Sequence, residues 1–331
     1  MSTLLITGAA GFIGSCFVEA CKEHKILSCD SLEHFKNRTE HSKISFGSII
    51  DREKLLQWLN LARPHLSAIV HLGACTDTTQ TDGAYLTKMN VQYSQSLWKY
   101  ATDEKIPFIY ASSAATYGDG QQGYDDERSI SSLKPLNPYG QSKQDFDVWA
   151  LEQEKIGYHP PSWNAFKFFN VYGYGERHKG NMASVVLKAY DQIQAFGFVK
   201  LFRSHRPDIA DGEQKRDFIF VNDVVDVLKF TLLSVTQMAA AERVHRGIYN
   251  LGTGHARSFL DLVTCVFQEL NIPRKIEWMA TPENIRDQYQ YFTQASMGKL
   301  HHAGYTKEFT SLEQGIHQYI TKLLSRSSRS L

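Results

Sequence analysis

The chain has 331 residues, 42% of them hydrophobic, and its formal net charge at pH 7 is only +1. A chain of this length can bury a large core, in one big domain or in two closely packed ones. The near-neutral charge provides no general attraction to nucleic acid or to anionic membranes. No apolar run is long enough to cross a bilayer, and the N-terminus enters a predicted strand directly, without a signal peptide.

The five cysteines are scattered and odd in number, and their spacing is not that of metal ligands. The pattern predicts no metal site and favours a reducing cytoplasm. We therefore expect a cytoplasmic protein with no nucleic-acid or membrane partner.

Short strand-like runs alternate with helical patterns over the first half of the chain. The predicted strands cover 4–7, 25–29, 44–46, 68–71, 108–111 and 165–169. The predicted helices lie near 12–23, 51–62, 83–103 and 138–155. This alternation indicates an α/β fold with a doubly wound parallel sheet of the Rossmann type, with helices on both faces.

The pattern becomes less regular after Asn170. It predicts helices over 180–196, 222–235 and 258–270, a polar loop over 203–215 and a strand over 247–251. We predict a dinucleotide-binding domain over 1–170, to which 217–252 returns. A smaller, mixed α/β substrate domain is then formed by 171–216 and 253–324.

A glycine turn follows the first predicted strand and opens the first predicted helix. Gly8 lets the chain turn sharply, Gly11 lets the backbone approach a diphosphate, and Gly14 lets the helix pack close to the strand. The diphosphate would rest on the helix N-terminus. Because the triplet has this strand-to-helix context, it predicts a dinucleotide site.

The residues that follow the second strand bear on the choice of dinucleotide. Asp30 stands where an acidic side chain commonly binds the adenosine ribose hydroxyls and favours NAD. Lys36, Arg38 and Arg52 come next along the chain, and any of them could neutralise a ribose phosphate. The residues alone therefore leave both NAD and NADP open.

Tyr139 and Lys143 are separated by three residues on the helix predicted over 138–155. They share one helix face, so the ammonium can favour the ionised phenol. Ser113 follows a predicted strand and supplies a hydroxyl that can help in the same way and steady a carbonyl. The set predicts a general base for an alcohol.

Several segments in both halves of the chain resemble those of a known protein family. They are 71–75, 110–118, 134–137, 169–173, 178–180, 182–184, 215–218, 289–290 and 292–294. With these segments the chain resembles the extended short-chain dehydrogenase/reductase superfamily and, within it, the ADP-L-glycero-D-manno-heptose 6-epimerase family. The resemblance covers nearly the whole length. It implies inversion of C6 of an ADP-heptose in lipopolysaccharide inner-core precursor synthesis, with tightly bound NADP and a homo-oligomeric enzyme.

The resemblance also implies a second acid/base group at Lys179. Inversion through a ketone needs attack on two faces of the sugar, which one fixed phenol serves poorly. The pKa of the amine would have to fall through burial or through a neighbouring cation such as His178 or Lys143. On residue type alone, a diphosphate-binding role for Lys179 stays open.

The remaining site predictions are assigned residue by residue. The cofactor set is Gly8, Gly11, Phe12, Ile13, Gly14, Asp30, Ser31, Lys36, Arg52, Leu72, Gly73, Ala74, Cys75, Thr76, Asn90, Lys143, Val171 and Lys179. The substrate set is Ser113, Asn170, Asn181, Lys188, Phe202, Arg216 and Tyr289. Two members depart from the family pattern, because Asn181 stands where serine is usual and Lys188 where histidine is usual. No metal ligand is assigned.

Three rival functions agree less well with this set of residues. A nucleotide-sugar 4,6-dehydratase would need an Asp-Glu pair after Ser113, where this chain has Ala114 and Ala115. A UDP-hexose 4-epimerase shares the tyrosine and serine but does not require segment 178–180. A non-enzymatic NADP sensor would usually have lost the tyrosine or the lysine, and the intact set disfavours it.

Overall fold

The computed structural model describes residues 2–238, 244–286 and 289–327. Its strands are β1 (Thr3–Thr7), β2 (Lys25–Asp30), β3 (Ser48–Asp51), β4 (Ala68–His71), β5 (Phe108–Ser113), β6 (Trp163–Phe168), β7 (Asn170–Tyr172), β8 (Val199–Phe202), β9 (Lys215–Phe220), β10 (Gly247–Leu251), β11 (Ala256–Ser258) and β12 (Ile276–Met279). Its α-helices are α1 (Phe12–Ala20), α2 (Leu32–Asn37), α3 (Leu55–Ala62), α4 (Gly83–Leu86), α5 (Tyr93–Asp103), α6 (Pro138–Lys155), α7 (Val185–Phe196), α8 (Val221–Gln237), α9 (Phe259–Glu269), α10 (Glu283–Arg286), α11 (Gly298–His302) and α12 (Leu312–Ser327).

Seven strands form one parallel sheet in the order β10-β6-β5-β4-β1-β2-β3. The strand order reverses between β1 and β4, so a crevice opens beyond their carboxyl ends, where ligands of doubly wound folds bind. The predicted α/β class and doubly wound parallel sheet are therefore confirmed. Within the described residues, no helix is both long and apolar enough to span a bilayer.

The rest of the chain forms two small sheets, β11-β9-β7 and β12-β8. In the first, β9 pairs antiparallel with β11 and parallel with β7, which gives the mixed arrangement predicted for the C-terminal part. From the segment predicted to return to the first domain, β10 joins the large sheet, whereas β9 lies in the small one. The domain boundaries themselves stay a prediction.

Two apolar cores support these layers. One surrounds the large sheet and takes in the central residues of β1, β4 and β5. The other is built mainly from α7, α9 and α12 and packs beneath the small sheets. Phe12 of α1 is buried in the second core, so the helix that follows the glycine turn also packs against the C-terminal part of the chain.

The strand predicted over 44–46 is wrong, because β3 begins only at Ser48. Gly47 has a φ of +62°, and a Cβ there would lie 2.3 Å from the carbonyl oxygen of Ile26. The chain therefore turns at Gly47 before it pairs with β2. Phe46 is buried in a loop, with its ring 4.9 Å from that of Phe35, which explains the apolar pattern without a strand.

The helix that carries Tyr139 spans the predicted range, 138–155. Asn137 caps it by accepting a hydrogen bond of 2.8 Å from the backbone N–H of Gly140, and proline occupies the first helical position. The helix predicted over 180–196 begins later, at Val185, because Ser184 caps it and Gly180 has a φ of +51°. The strands β7, β8, β9, β11 and β12 were not predicted.

Candidate active site

A cavity of about 810 Å³, here called the catalytic cavity, opens beyond the carboxyl ends of β1, β4 and β5. It brings together most of the predicted cofactor and catalytic residues. Those in its wall are Gly8, Gly11, Phe12, Ile13, Gly14, Asp30, Arg52, Leu72, Gly73, Ala74, Thr76, Ser113, Tyr139, Lys143, Asn170, Val171 and Lys179.

The glycine turn leaves no room for side chains. Gly8 has a φ of +66°, and a Cβ there would lie 2.6 Å from the backbone nitrogen of Gly73. A Cβ at Gly14 would lie 2.0 Å from the carbonyl oxygen of Gly8, and one at Gly11 would lie 2.9 Å from that oxygen. The turn is therefore a bare backbone cradle at the start of α1, which suits a diphosphate.

Asp30 lies at the end of β2 in the cavity wall. One carboxylate oxygen accepts a 3.1 Å hydrogen bond from the backbone N–H of Ala10, and the other contacts Ser31 N and His34 Nδ1, each at 2.8 Å. Arg38 donates to the carbonyl oxygen of Ala10 and also lines the cavity. The carboxylate is thus held against the glycine turn with a cation beside it.

Of the three cations predicted to neutralise a ribose phosphate, two line the catalytic cavity and one does not. Arg38 and Arg52 line the catalytic cavity. Lys36 is exposed on α2 and does not line it, so the structure does not bring Lys36 to the site.

Tyr139 and Ser113 meet at the end of β5. The Ser113 hydroxyl oxygen accepts a 3.1 Å hydrogen bond from the backbone N–H of Ala115 and hydrogen-bonds the Tyr139 side chain. Burial raises the pKa of the Tyr139 phenol, and the Ser113 hydrogen bond opposes that rise. The pKa of the phenol is therefore raised in this structure, in the direction opposite to the one that the helix spacing favours.

Lys143 explains part of that difference. Its ammonium donates a 3.0 Å hydrogen bond to the carbonyl oxygen of Ala111. Burial lowers the pKa of Lys143 to about 8, and Asp147 and Cys75 oppose this shift. Burial thus disfavours the charged forms of both Lys143 and Tyr139, and the cation contributes less to the phenol than helix spacing alone suggests.

Asn90 braces the site from behind. It is buried in a π-helical turn, Thr87–Gln92, and its amide exchanges hydrogen bonds with the backbone of Cys75, at 2.8 and 3.0 Å. The same amide donates to the Ser142 hydroxyl at 2.9 Å, and Ser142 donates to the carbonyl oxygen of Tyr139 at 2.7 Å. Asn90 and Cys75 do not line the cavity; they fix the loop 72–76 to the catalytic helix.

Lys179 lies in a short helical segment, Arg177–Met182, here called the Lys179 segment. Its ammonium stands 5.4 Å from the centre of the Phe12 ring. Burial lowers the pKa of Lys179, Glu176 opposes this, and the cation that adds to it is Lys188. The expected fall in pKa is therefore present, but the neighbouring cation is neither His178 nor Lys143.

Glu176 is a site residue that the sequence analysis missed. Its buried carboxylate accepts hydrogen bonds from the backbone N–H and the hydroxyl of Ser184, at 2.7 and 2.6 Å. It thereby ties the start of the Lys179 segment to the cap of α7. An isolated glutamate before a His-Lys-Gly run provides no sequence signal for this role.

A buried ion pair behind Ser113 was missed as well. Asp147 and Lys167 have no exposed side-chain surface and lie 2.8 Å apart. Asp147 also accepts hydrogen bonds from Tyr110, at 3.0 Å, and from Ser112, at 2.6 Å. Lys167 donates to Thr116 at 2.6 Å, so the pair holds both ends of the segment that contains Ser113.

A second cavity of about 290 Å³ adjoins the first, and Val185 and Phe259 line both. Three predicted substrate residues, Lys188, Phe202 and Tyr289, lie in its wall.

Arg216 is buried beside the second cavity, and its guanidinium carbon lies 5.5 Å from the ring centre of Phe259 and 5.6 Å from that of Tyr289. The predicted substrate residues therefore do not share one wall, because some line the catalytic cavity, some line the second cavity, and Asn181 and Arg216 line neither. Six predicted residues line neither cavity, namely Ser31, Lys36, Cys75, Asn90, Asn181 and Arg216.

The bare glycine cradle, the acidic end of β2 and the Ser113–Tyr139–Lys143 set together describe a dinucleotide-binding enzyme that acts on an alcohol or its ketone. The chain belongs to the NAD dependent epimerase/dehydratase family, whose model matches residues 4–252. The resemblance found in the sequence is thus confirmed at family level.

Known proteins are similar to this chain over nearly its whole length. The chain is 41% identical to an ADP-L-glycero-D-manno-heptose-6-epimerase from Fusobacterium nucleatum, over 99% of this chain and 100% of the relative. The solved structure of the Helicobacter pylori enzyme of that name is 27% identical, with a TM-score of 0.77 over 98% of this chain and 96% of the other. A UDP-N-acetylglucosamine 4-epimerase from Methanobrevibacter ruminantium, with a TM-score of 0.81 but 19% identity, covers 98% of this chain and 99% of its own and shares the fold.

Proposed function

We propose that this chain is an epimerase that inverts C6 of ADP-D-glycero-D-manno-heptose to give the L-glycero form, for lipopolysaccharide inner-core precursor synthesis. Full-length relatives at 41% identity carry that name. The observation that carries the proposal is that two acid/base candidates from different elements, Tyr139 on α6 and Lys179 after β7, line one cavity with a glycine cradle.

The residues present fit a nicotinamide dinucleotide. Gly8, Gly11 and Gly14 form a backbone cradle that any Cβ would fill, and it leads into α1. The loop 72–76 and Val171 would hold the nicotinamide end, and Asp30 the adenosine ribose. The bound nicotinamide supplies a reversible hydride acceptor, which is what the inversion of an unactivated secondary alcohol requires.

The protein contributes proton transfer and orientation. Tyr139 would take the hydroxyl proton from the sugar, and the Ser113 hydroxyl would steady the oxygen as its charge changes. Lys143 would hold the ribose of the dinucleotide and bias the phenol towards its ionised form. Lys179, with its lowered pKa, would handle the proton on the same oxygen when the sugar presents its other face.

The cofactor preference that we propose is NADP. The Asp30 carboxylate is already engaged by Ala10, Ser31 and His34, which leaves it less able to accept from ribose hydroxyls. Arg38 and Arg52 line the same end of the cavity and can neutralise a ribose phosphate. We further propose, from the family resemblance, that the enzyme acts in the cytoplasm as a homo-oligomer.

One experiment tests substrate and cofactor together. The purified protein is denatured and the released nucleotide is identified as NADP or NAD by mass. The native protein is then incubated with ADP-D-glycero-D-manno-heptose, and the epimers are followed by NMR, with UDP-glucose as the control for the alternative 4-epimerase. Absence of any pyridine nucleotide, together with failure to bind one, would overturn the proposal.

In deuterated water, hydride return predicts that the inverted carbon keeps its original hydrogen. Solvent deuterium at that carbon would instead indicate proton abstraction and would exclude the redox route. Size-exclusion chromatography with light scattering measures the oligomeric state.

A further inference from the structure

Gln214 is a buried polar residue to which the proposed mechanism assigns no role. Its side chain is 1% exposed, and among the described residues its amide nitrogen finds no hydrogen-bond partner. A buried amide nitrogen without a partner is unfavourable, and natural folds rarely retain one without a reason. Gln214 directly precedes β9 and lines the second cavity.

The wall around Gln214 is suited to a flat, partly apolar group. Phe202, Phe259 and Tyr289 supply aromatic surface, and Leu201 and Val199 supply aliphatic surface. The volume of about 290 Å³ has room for a nucleobase. Apolar walls with one well-placed polar group are typical of small-molecule sites.

Two cations lie at or near the second cavity. Lys188 lines the second cavity and is exposed, with its ammonium 2.8 Å from the carbonyl oxygen of Asn181. Arg216 lies against the Phe259 and Tyr289 rings. Val185 and Phe259 border both cavities, so the second cavity lies beside the catalytic cavity.

A glutamine amide offers one donor and one acceptor side by side, and rotation about its last bond exchanges them. That pair complements the adenine edge, whose exocyclic amino group donates and whose ring nitrogen accepts. We infer that the Gln214 amide is a base-recognition element in the second cavity, whose nitrogen donates to a ring nitrogen of adenine and whose oxygen accepts from the exocyclic amino group. The inference rests on the proposed function, since it assigns the ADP end of the proposed substrate to this pocket.

The test measures binding of two probes to the holoenzyme by calorimetry. The probes are ADP and purine riboside 5′-diphosphate, which lacks only the amino group. The wild type is expected to bind ADP about tenfold more tightly. Gln214→Met is expected to bind the two probes equally, because it keeps the size of the side chain and removes the amide. A wild type without preference, or a variant that keeps it, would overturn the inference.

Two controls separate recognition from folding. Gln192 also lines the second cavity, but its amide oxygen already accepts a 2.9 Å hydrogen bond from the backbone N–H of Lys200. Gln192→Met is therefore expected to keep the preference for ADP. Gln214→Met should melt within a few degrees of the wild type, and a large fall would show that the fold itself needs the amide and would overturn the inference.

Gln214→Asn provides a second variant, because it retains an amide but draws it back by one methylene. It is expected to lose the preference for ADP, and retention would count against the inference. The preference between the two probes is a binding measurement and does not depend on turnover. If the wild type prefers ADP through Gln214 yet does not epimerise the ADP-heptose, the inference stands and the proposed function fails.

Discussion

The two lysines of the catalytic cavity are held in very different ways. Lys143 lies within the long helix α6, is buried, and donates to the carbonyl oxygen of Ala111. Lys179 lies in a short segment that contains a positive-φ glycine and contacts Phe12 through its ammonium. Burial lowers the pKa of both amines, to about 8 for Lys143.

In the proposed mechanism one site has to serve two faces of a substrate, and the two lysines are held in ways that fit this need. The α6 side is fixed by a capped helix, a strand end and a buried ion pair, so its phenol and hydroxyl have one geometry. The Lys179 side is held by Glu176, which accepts a hydrogen bond from Ser184 and acts on the Lys179 ammonium through its charge. Under the proposed mechanism, the rigid group would act on the sugar in one orientation, and the group on the short segment would act on it in the other.

Removing the fixed group is expected to have the largest effect. Tyr139→Phe should lower kcat on the order of 10³-fold or more, because the phenolic oxygen is the proposed base and acid. Bound dinucleotide and melting temperature should change little, since the ring is retained. Turnover is measured by NMR of both epimers, and activity near the wild-type level would exclude Tyr139 from the mechanism.

Removing the second group should cost less. Lys179→Met is expected to lower kcat on the order of 10²-fold while KM for the ADP-heptose changes little, because a proton carrier is lost and not an anchor. Steady-state kinetics separate the two parameters. A rise in KM with unchanged kcat would instead support the diphosphate-binding role.

The ion pair behind Ser113 should affect stability more than turnover. Asp147→Asn leaves the buried Lys167 unpaired and is expected to cost about 3–5 kcal/mol of unfolding free energy, measured by urea denaturation. The double change Asp147→Asn with Lys167→Met should recover much of this and leave kcat within about tenfold of the wild type. If the double variant is as unstable as the single one, the unpaired lysine is not the cause.

The single variant Asp147→Asn also has a pH signature. Asp147 raises the pKa of both Tyr139 and Lys143, so removing its charge lowers both. The phenol then ionises at lower pH, and the acid limb of the kcat profile should move to lower pH by less than about one unit. An upward shift would contradict this assignment.

The smallest expected effect concerns the cation beside Lys179. Lys188 lowers the pKa of Lys179, so Lys188→Gln should raise it, and the pH at which the amine becomes neutral should rise by less than about one unit. The shift should shrink in high salt because Lys188 is exposed. The measurement is the pH profile of kcat for the wild type and the variant, at low and at high salt. A difference between them that is equal at both salt concentrations would indicate that Lys188 does not act through its charge.

The sequence was most informative where structure is local. The glycine turn and the helix 138–155 could be placed because their signals, glycines at a strand end and an Asn-Pro start, lie within a few residues. The 44–46 strand failed because the apolar residue there, Phe46, is buried in a loop. The pairing of β7, β9 and β11 could not be read, since each strand is short and its partner is distant in sequence.

The site follows the same rule. Tyr139, Lys143 and Ser113 were identifiable from spacing, whereas the Asp147–Lys167 pair joins a helix to a strand twenty residues later and has no local signature. Burial decides the directions of the pKa shifts, and burial is a property of the packed whole. Gln214 looks like an ordinary loop residue until its amide nitrogen is known to be buried without a partner in the described part of the chain.

Asn90 joins the loop that would flank the nicotinamide to the turn of helix that carries the phenol, through Cys75 on one side and Ser142 on the other. In the proposed mechanism, one amide would therefore align the group that holds the nicotinamide with the group that moves the proton. When the ketone turns over between its formation and its reduction, only the sugar would have to move.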